Sequence, residues 1–385
     1  MNWVERSIDE ISVVVTKGTT PSTYGMPFTE SGINFVKAES LNGDVNLERN
    51  GFAFINEETH AKLKRSQLAE KDVLITIAGA NVGKCGFVRA RELPANTNQA
   101  VGIIRVKPDI ADARFIYYLF KNPKTYAMCQ SVGGGQAAQP NINLTTLKNF
   151  KFLMPDLKHQ ERITQLIGAY DDLIENNKRR IALLEESARQ LYKEWFVRFR
   201  FPGHEHVKIV DGVPEGWDRA QVGDLLTLQR GFDLPLKARQ IGEIPIYAST
   251  GINGYHNEHK VEGPGIVTGR SGSLGSVMFI SGKFWPLNTT LWVKEFKKVT
   301  PYYALFFLRQ LKLENYNGGA AVPTLNRNDV HRIETFAPPA SLMDYFSDFV
   351  TPLFEQIDGL VNQNKKLTNA RDLLLPKLMS GELAV

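Results

Sequence analysis

The feature that most constrains this chain is an internal repeat, because a duplicated sequence must fold twice into the same kind of unit. Trp3 followed by Ile8, Glu10 and Ile11 returns as Trp217 followed by Val222, Asp224 and Leu225, and Lys17-Gly18 returns as Arg230-Gly231. Further on, Gly83-Lys84-Cys85-Gly86-Phe87-Val88 answers Gly275-Ser276-Val277-Met278-Phe279-Ile280, and Asn98-Gln99 answers Asn288-Thr289. The glycine segment Gly133-Gly134-Gly135 with Pro140 and Asn143 answers Gly318-Gly319 with Pro323 and Asn326, and Pro155 answers Pro338. The landmarks keep their order, which marks a duplication. At 385 residues the chain exceeds what one hydrophobic core usually supports, in keeping with more than one domain.

Each half has two textures. A Gly-rich, β-branched first part carries short strand-like runs such as Val73 to Ile77 and Val101 to Val106, and a long helical stretch follows. In the first helix the apolar seam reads Ile163, Leu166, Tyr170, Leu173, Asn177, Ile181, Leu184, Ala188, Leu191, Trp195, a 3-4 spacing with one slip after Asn177. In the second it reads Met343, Phe346, Val350, Leu353, Ile357, Leu360, Asn364, Leu367, then Leu374 and Leu378. Both are seams of coiled-coil type, on rods of about 30 residues or more, or ~45 to 50 Å at 1.5 Å per residue. The long excursion between the helices allows antiparallel pairing. Asn177 and Asn364 are polar residues at seam positions, each followed by a basic pair, and such an Asn sets helix register at some cost in stability.

The net charge of +5 suggests a polyanionic partner, and its distribution fits: residues 1–156 hold 18 basic and 15 acidic residues, and 203–338 hold 15 and 13. Both strand-rich segments intersperse basic residues with Gly, Ser, Thr, Asn and Gln, which can donate to phosphates and base edges. No apolar run approaches a membrane span, the N-terminal residues lack an apolar signal core, and two cysteines are too few for a disulfide framework. A reduced, cytoplasmic chain is expected. Catalytic motifs fail one by one. Gly79-Ala80-Asn81-Val82-Gly83-Lys84-Cys85 resembles a phosphate loop, but it has three residues between its glycines where four are needed, and Cys85 offers no hydroxyl for Mg²⁺. Its duplicate, Ser271-Gly272-Ser273-Leu274-Gly275-Ser276, lacks the lysine, so a strand-turn-strand with polar tips is expected at both places. Pro338-Pro339 resembles the Pro-Pro of adenine methyltransferases, but its neighbours Ala337 and Ala340 cannot hold a target amine. His204, His206, His256 and His259 lack the further ligands of a zinc set, so no metal site is expected.

Two polar-loop domains, each followed by a long helix, resemble the specificity subunit of type I restriction-modification systems over nearly the whole chain. Pro214-Glu215-Gly216-Trp217 looks like that family's entry to a second target-recognition domain, and Gln160-Glu161-Arg162-Ile163 its entry to a spacer helix. Leu191-Tyr192-Lys193-Glu194-Trp195-Phe196 with Phe201-Pro202-Gly203 resembles the exit from that helix, and Leu374-Leu375-Pro376-Lys377-Leu378-Met379-Ser380-Gly381-Glu382 the C-terminal end. Ser341-Leu342-Met343-Asp344 departs from the pattern, standing where Gln-Glu-Arg is expected.

The resemblance implies an α+β fold in which two α/β target-recognition domains form an internal pseudo-twofold repeat, separated by two long helices in an antiparallel coiled coil. The boundaries fall at 1–156, 157–202, 203–338 and 339–385. It further implies sequence-specific reading of a bipartite, asymmetric site in double-stranded DNA, with the helices setting the separation. The partners are two modification subunits carrying S-adenosylmethionine for adenine methylation, with or without restriction subunits that use ATP and Mg²⁺. The chain itself then holds no cofactor and no catalytic residue. Candidate readers are Lys17, Thr19, Asn81, Lys84, Asn98, Gln99, Gln136 and Gln139 in the first domain, and Arg230, Arg270, Ser271, Ser273, Asn288 and Asn317 in the second. An enzyme with an unrecognised motif, a coiled-coil scaffold that does not read DNA, and a specificity-like subunit of another DNA-methylation or phage-defence complex remain as alternatives. Replacing Asn177 and Asn364 together by Leu is expected to raise Tm while loosening helix register. Scanning calorimetry of the double variant checks this, and a marked drop in Tm would overturn the seam reading.

Overall fold

Each half of the chain begins with the same local device. The Ser7 hydroxyl accepts from the Glu10 amide at 3.3 Å while Glu10 Oε2 accepts from the Ser7 amide at 2.8 Å, closing a capping box on the one-turn helix Ile8–Ile11. Over Val222–Leu225 the Asp224 Oδ2 likewise accepts from the Gln221 amide, at 2.8 Å. Each turn buries its two apolar residues, Ile8 and Ile11 or Val222 and Leu225, and releases the chain into a strand. The computed structural model describes residues 3–43, 45–134, 140–318 and 322–385. It divides into two compact units, residues 1–176 with 364–385, and residues 177–363.

In the first unit, Ser12–Lys17, Val101–Val106, Val73–Thr76 and Cys85–Phe87 form a four-stranded antiparallel sheet in that order. In the second, Leu226–Arg230, Thr290–Phe296, Gly265–Gly269 and Val277–Ile280 repeat it. Three-stranded sheets accompany them, Ala53–Ile55 with Ile33–Val36 and Ala95–Thr97, and Gly251–His256 with Ile244–Ala248 and Trp285–Pro286; in both, the last pair is parallel. Val73–Thr76 and Gly265–Gly269 are buried throughout, which explains their unbroken runs of apolar and small residues. The expected strand-turn-strand is present at both places. Lys107 Nζ donates to the Glu10 carbonyl at 2.8 Å, and Lys297 Nζ to the Gly223 carbonyl at 2.7 Å, so the repeat extends to side chains that clamp the opening turn.

The central helix spans Leu157–Tyr192 and the C-terminal helix Ala340–Met379, 36 and 40 residues, about 54 and 60 Å long at 1.5 Å per residue. In the first unit Asp171 meets Arg371 and the Ile174 carbonyl faces Asn364, so the paired segments run antiparallel. In the second unit Asn177 is buried and donates to Gln363 Oε1 at 3.0 Å. Ile163, Ile167, Leu375 and Leu378 enter the first unit's core, and Ala188, Tyr192, Phe346 and Val350 the second's. The N-terminal contacts of the two helices are variations on one theme. Thr164 Oγ1 donates to Asp112 at 2.8 Å, and Ser347 Oγ donates to Thr300 Oγ1 at 2.9 Å, where Asp112 and Thr300 cap the helices Ala113–Lys121 and Pro301–Gln310. The buried Gln160, which bridges the Asp112 amide and the Pro155 carbonyl, has no polar counterpart; at the departure in the second helix, buried Met343 contributes to the apolar core instead.

The seam differs from its expected course before Asn177. Leu166 and Leu173 are exposed at 37% and 38%, whereas Ile163, Thr164, Ile167, Asp171 and Ile174 are buried. The reason is chemical: the true stripe contains Gln160, Thr164 and Asp171, which an apolar count passes over. Asp171 is buried beside Arg371, whose Nη1 donates at 2.6 Å, and the Tyr118 hydroxyl donates to its other oxygen at 2.8 Å. Burial, then the Asp171 charge, push the Tyr118 hydroxyl well above its usual range, so it remains a donor. Burial opposes the Arg371 charge, yet Asp171 holds the guanidinium above its ordinary value. The C-terminal helix also passes through Pro352 and Pro376 without ending.

Arg371→Leu alone, which leaves the Asp171 carboxylate with Lys121 Nζ at 3.9 Å and the Tyr118 hydroxyl, is expected to destabilise the first unit by about 1–3 kcal/mol, and Asp171→Leu with Arg371→Leu to recover part of that loss. Urea unfolding followed by hydrogen exchange over residues 113–121 measures both.

Candidate nucleic-acid interface

The antiparallel register of the first sheet places the end of one strand at Lys17, the start of its neighbour at Val101 and the end of the next at Thr76. Loops 18–20, 98–100 and 77–84 therefore leave from one sheet end. Backbone bonds lace them together: the Gly18 amide to the Val101 carbonyl at 3.0 Å, Thr19 to Thr97 at 3.0 Å, Ile77 to Ala100 at 2.8 Å and Gly79 to Pro140 at 3.0 Å. Gly18 has no alternative here, since a Cβ would stand 2.2 Å from the Thr97 carbonyl oxygen.

Among the candidate readers, Lys17 is exposed at this end and Asn81 is half-buried in the turn. Asn98 Oδ1 accepts from the Ala100 amide at 3.2 Å, and Gln99 Oε1 accepts from the Thr20 hydroxyl. Thr19 is buried, its hydroxyl accepting from Arg65 Nη2 at 3.0 Å, which brings Arg65 to the same loops. Lys84 lies at the far end of its turn, lining a cavity of about 370 Å³ with Lys121, Arg371 and Asp372. Gln136 and Gln139 lie outside the described residues.

The second unit repeats the framework. Gly231 donates to the Thr290 carbonyl at 3.0 Å, Arg270 to Thr289 at 2.8 Å, Gly272 to Pro323 at 3.0 Å and Leu325 to Arg270 at 2.8 Å. The last bond matches Ile142 to Ile77, also at 2.8 Å, and Asn143 and Asn326 cap the short helices that follow. These correspondences align Lys17 with Arg230, Ile77 with Arg270 and Leu144 with Arg327. At these three positions the second unit therefore gathers three arginines where the first has one lysine. Arg230, Arg270 and Arg327 line a cavity of about 420 Å³ with Asn326 and the apolar Leu291 and Leu325. Arg270 Nη1 donates to the Asn288 carbonyl at 3.3 Å, Arg230 pairs with Asp233 at 3.2 Å, and Asn288 Nδ2 also donates to Asp233. Asn317 Oδ1 accepts from the Thr324 amide at 2.9 Å, Ser271 bridges to Thr324, and Ser273 is exposed in the turn.

At the end of the short helix Arg327–His331, His331 Nε2 accepts from the Leu228 amide at 2.9 Å. Burial, then Arg327 and Lys297, push its pKa down, which keeps the ring neutral and the acceptor in place. Sequence reading missed Arg65 and Arg327. For Arg327 the available signal was its position beside Asn326, the last landmark of the repeated glycine segment.

Cys85 and Cys129 are buried and reduced, with thiols pushed up by burial to about 12, outside the range of a nucleophile. Among the described residues no group of three or more His, Cys, Asp and Glu is gathered to hold a metal, and no helix is long and apolar enough to cross a membrane.

Fold and site together define a duplicated protein that presents laced polar loops, basic in character, at one sheet end of each copy. Residues 1–186 and 214–368 match the type I restriction modification DNA specificity domain, and the chain belongs to that family. It is similar to the type I restriction enzyme MjaIX specificity subunit of Methanocaldococcus jannaschii, at 26% identity over 413 residues, covering 100% of this chain and 94% of that protein. It is also similar to the EcoBI specificity subunit of Escherichia coli, at 30% identity over 154 residues, 38% of this chain and 31% of that one. The crystal structure of the S subunit of a type I restriction-modification system from M. genitalium shares the fold, with a TM-score of 0.59 at 18% identity, covering 98% of this chain and 96% of the other.

A Cβ on Gly231 would stand 2.2 Å from the Leu287 carbonyl oxygen, whereas one on Gly282 meets nothing within 4 Å. Gly231→Ala is expected to cost about 1–3 kcal/mol and Gly282→Ala to be near neutral. Chemical denaturation of the two variants side by side checks this.

Proposed function

We propose that this chain is the non-catalytic, sequence-reading subunit of a type I restriction-modification assembly acting on cytoplasmic DNA. Residues 1–156 read one half of a bipartite, asymmetric duplex site and residues 203–338 read the other. Two modification subunits supply S-adenosylmethionine and methylate adenine; restriction subunits with ATP and Mg²⁺, where present, cut. The observation that carries this reading is the pairing of one backbone framework with unlike side chains. The bonds that hold loops 18–20, 77–84 and 98–100 recur around Gly231, Arg270 and Thr289, yet Lys17, Ile77 and Leu144 give way to Arg230, Arg270 and Arg327. Identical scaffolds that carry different donor sets suit unlike half-sites, as an internal repeat allows where a symmetric dimer imposes a palindrome.

Candidate readers on this view are Lys17, Thr19, Asn81, Lys84, Asn98, Gln99, Gln136 and Gln139 for one half, and Arg230, Arg270, Ser271, Ser273, Asn288 and Asn317 for the other. Asn177 and Asn364 keep the helices in register. Exchanging residues 1–156 for a homologous domain should change one half of the methylated motif and leave the other intact. Sequencing methylated bases in cells that carry the hybrid and its modification partner reads the outcome; a motif scrambled in both halves overturns modular reading. Calorimetric titration of the purified chain with S-adenosylmethionine is expected to show no binding, and stoichiometric binding would overturn the non-catalytic assignment.

A further inference from the structure

We infer that Arg230, Arg270 and Arg327 form a clamp for a DNA backbone phosphate in the second recognition unit, at positions where the first unit carries Lys17, Ile77 and Leu144. This rests on the DNA-reading function proposed above and adds the chemical group that the cavity takes. Three guanidinium groups line one concavity of about 420 Å³, backed by Leu291 and Leu325. An apolar back wall lowers local screening and strengthens attraction for an anion. Within the cluster, Asp233 is the carboxylate paired to an arginine, through Arg230 at 3.2 Å, and it is shared with Asn288. Arg270 spends one donor on the Asn288 carbonyl, and Arg327 makes no ion pair or side-chain hydrogen bond among the described residues.

Charge decides between the two groups on a duplex that arginine favours. A guanine edge is neutral and would leave the excess positive charge of three arginines and one aspartate uncompensated in a partly enclosed site. A phosphodiester brings a full negative charge and two unesterified oxygens that accept from convergent guanidiniums. The first unit supplies the contrast. Its equivalent backbone bonds, Ile142 to Ile77 and Gly79 to Pro140, are intact, but Ile77 is buried in the core and Leu144 packs against it, so Lys17 is the one cation of the three positions.

The experiment uses the full chain with its modification subunits, and duplexes that carry either the mapped methylation site or a scrambled one, with Kd measured between about 50 and 200 mM salt. Neutralising one phosphate contributes about 0.9 to the slope of log Kd against log salt. Arg327→Gln is therefore expected to make Kd rise about 3–4-fold less over that range than in the parent, and to weaken mapped and scrambled duplexes by the same factor. Arg327→Lys, which keeps the charge but not the planar fork, should restore the slope and leave sequence preference unchanged. Arg270→Gln should act in the same direction; because Arg270 is half-buried, its thermal melting is checked, and exposed Arg327 carries the test should that variant fail to fold. An unchanged slope in Arg327→Gln overturns the clamp. So does an unchanged slope joined to lost discrimination at one base pair in both Arg327 variants, which would identify a guanine reader. Failure of the parent to prefer the mapped site would instead sink the function proposed above, and the slopes would still decide whether a phosphate is clamped.

Discussion

The first unit depends on a charge buried between two helices. Asp171 lies within the seam of the central helix, and its carboxylate is balanced by Arg371, by Lys121 Nζ at 3.9 Å and by the Tyr118 hydroxyl. Removing two charges from water is costly, and close pairing with a further hydrogen bond makes the arrangement tolerable. Because Arg371 is 200 residues from Asp171, this interaction can form only when the last helical turns reach the first unit. Leu375, Leu378 and Met379 then join Ile163, Ile167 and the helix Ala113–Lys121 in one core, and Gly381 comes against the Trp3 ring. The unit is thus assembled from both ends of the chain. An apolar pair at 171 and 371 would allow the helices to slide by a turn with little loss, whereas a buried ion pair penalises every other register.

The second unit solves the same assembly problem with aromatic packing. Tyr192, Trp195 and Phe196 from the end of the central helix meet Tyr303, Phe306 and Phe346 at centroid distances of 4.9 to 6.1 Å. Position 171 of the first repeat corresponds to Phe354 in the second, by the offset that relates Pro155 to Pro338, and Phe354 is buried against Phe279 and Tyr302. One backbone plan is therefore stabilised by an ion pair in one copy and by ring contacts in the other. The same freedom operates at the loops, where main-chain bonds shape the surface and leave the side chains open to diverge. A family whose members must recognise different sequences needs this separation of scaffold from reader.

Much of the architecture is legible in the amino-acid sequence. Local periodicity marked the two helices, and the repeated glycines, prolines and capping residues marked the duplicated sheets, because each is a local backbone requirement that leaves its residue type in the chain. Gly18 and Gly231 stand where a Cβ would strike a carbonyl oxygen, so both copies had to keep glycine. The seam before Asn177 was misread for the converse reason. Leu166 and Leu173 carry the expected hydropathy but face outward, while Asp171 looks like a surface residue and is buried. Hydropathy ranks a side chain by its own cost of burial and carries no information on a distant partner that offsets it.

By itself, the sequence determined that the protein is a duplication of strand-rich units punctuated by long helices, and it pointed to polar loops as the surfaces of interest. These follow from chain-local geometry, which is encoded at spacings of a few residues. Tertiary structure alone decided which half of each helix serves which unit, that Asp171 is matched by Arg371, and that Arg327 stands with Arg230 and Arg270 around one cavity. The three arginines are tens of residues apart and belong to a strand end, a loop and a helix start. Only sheet register and the lacing of those loops bring their charges together, and a field produced by convergent charges exists only where the chain has folded.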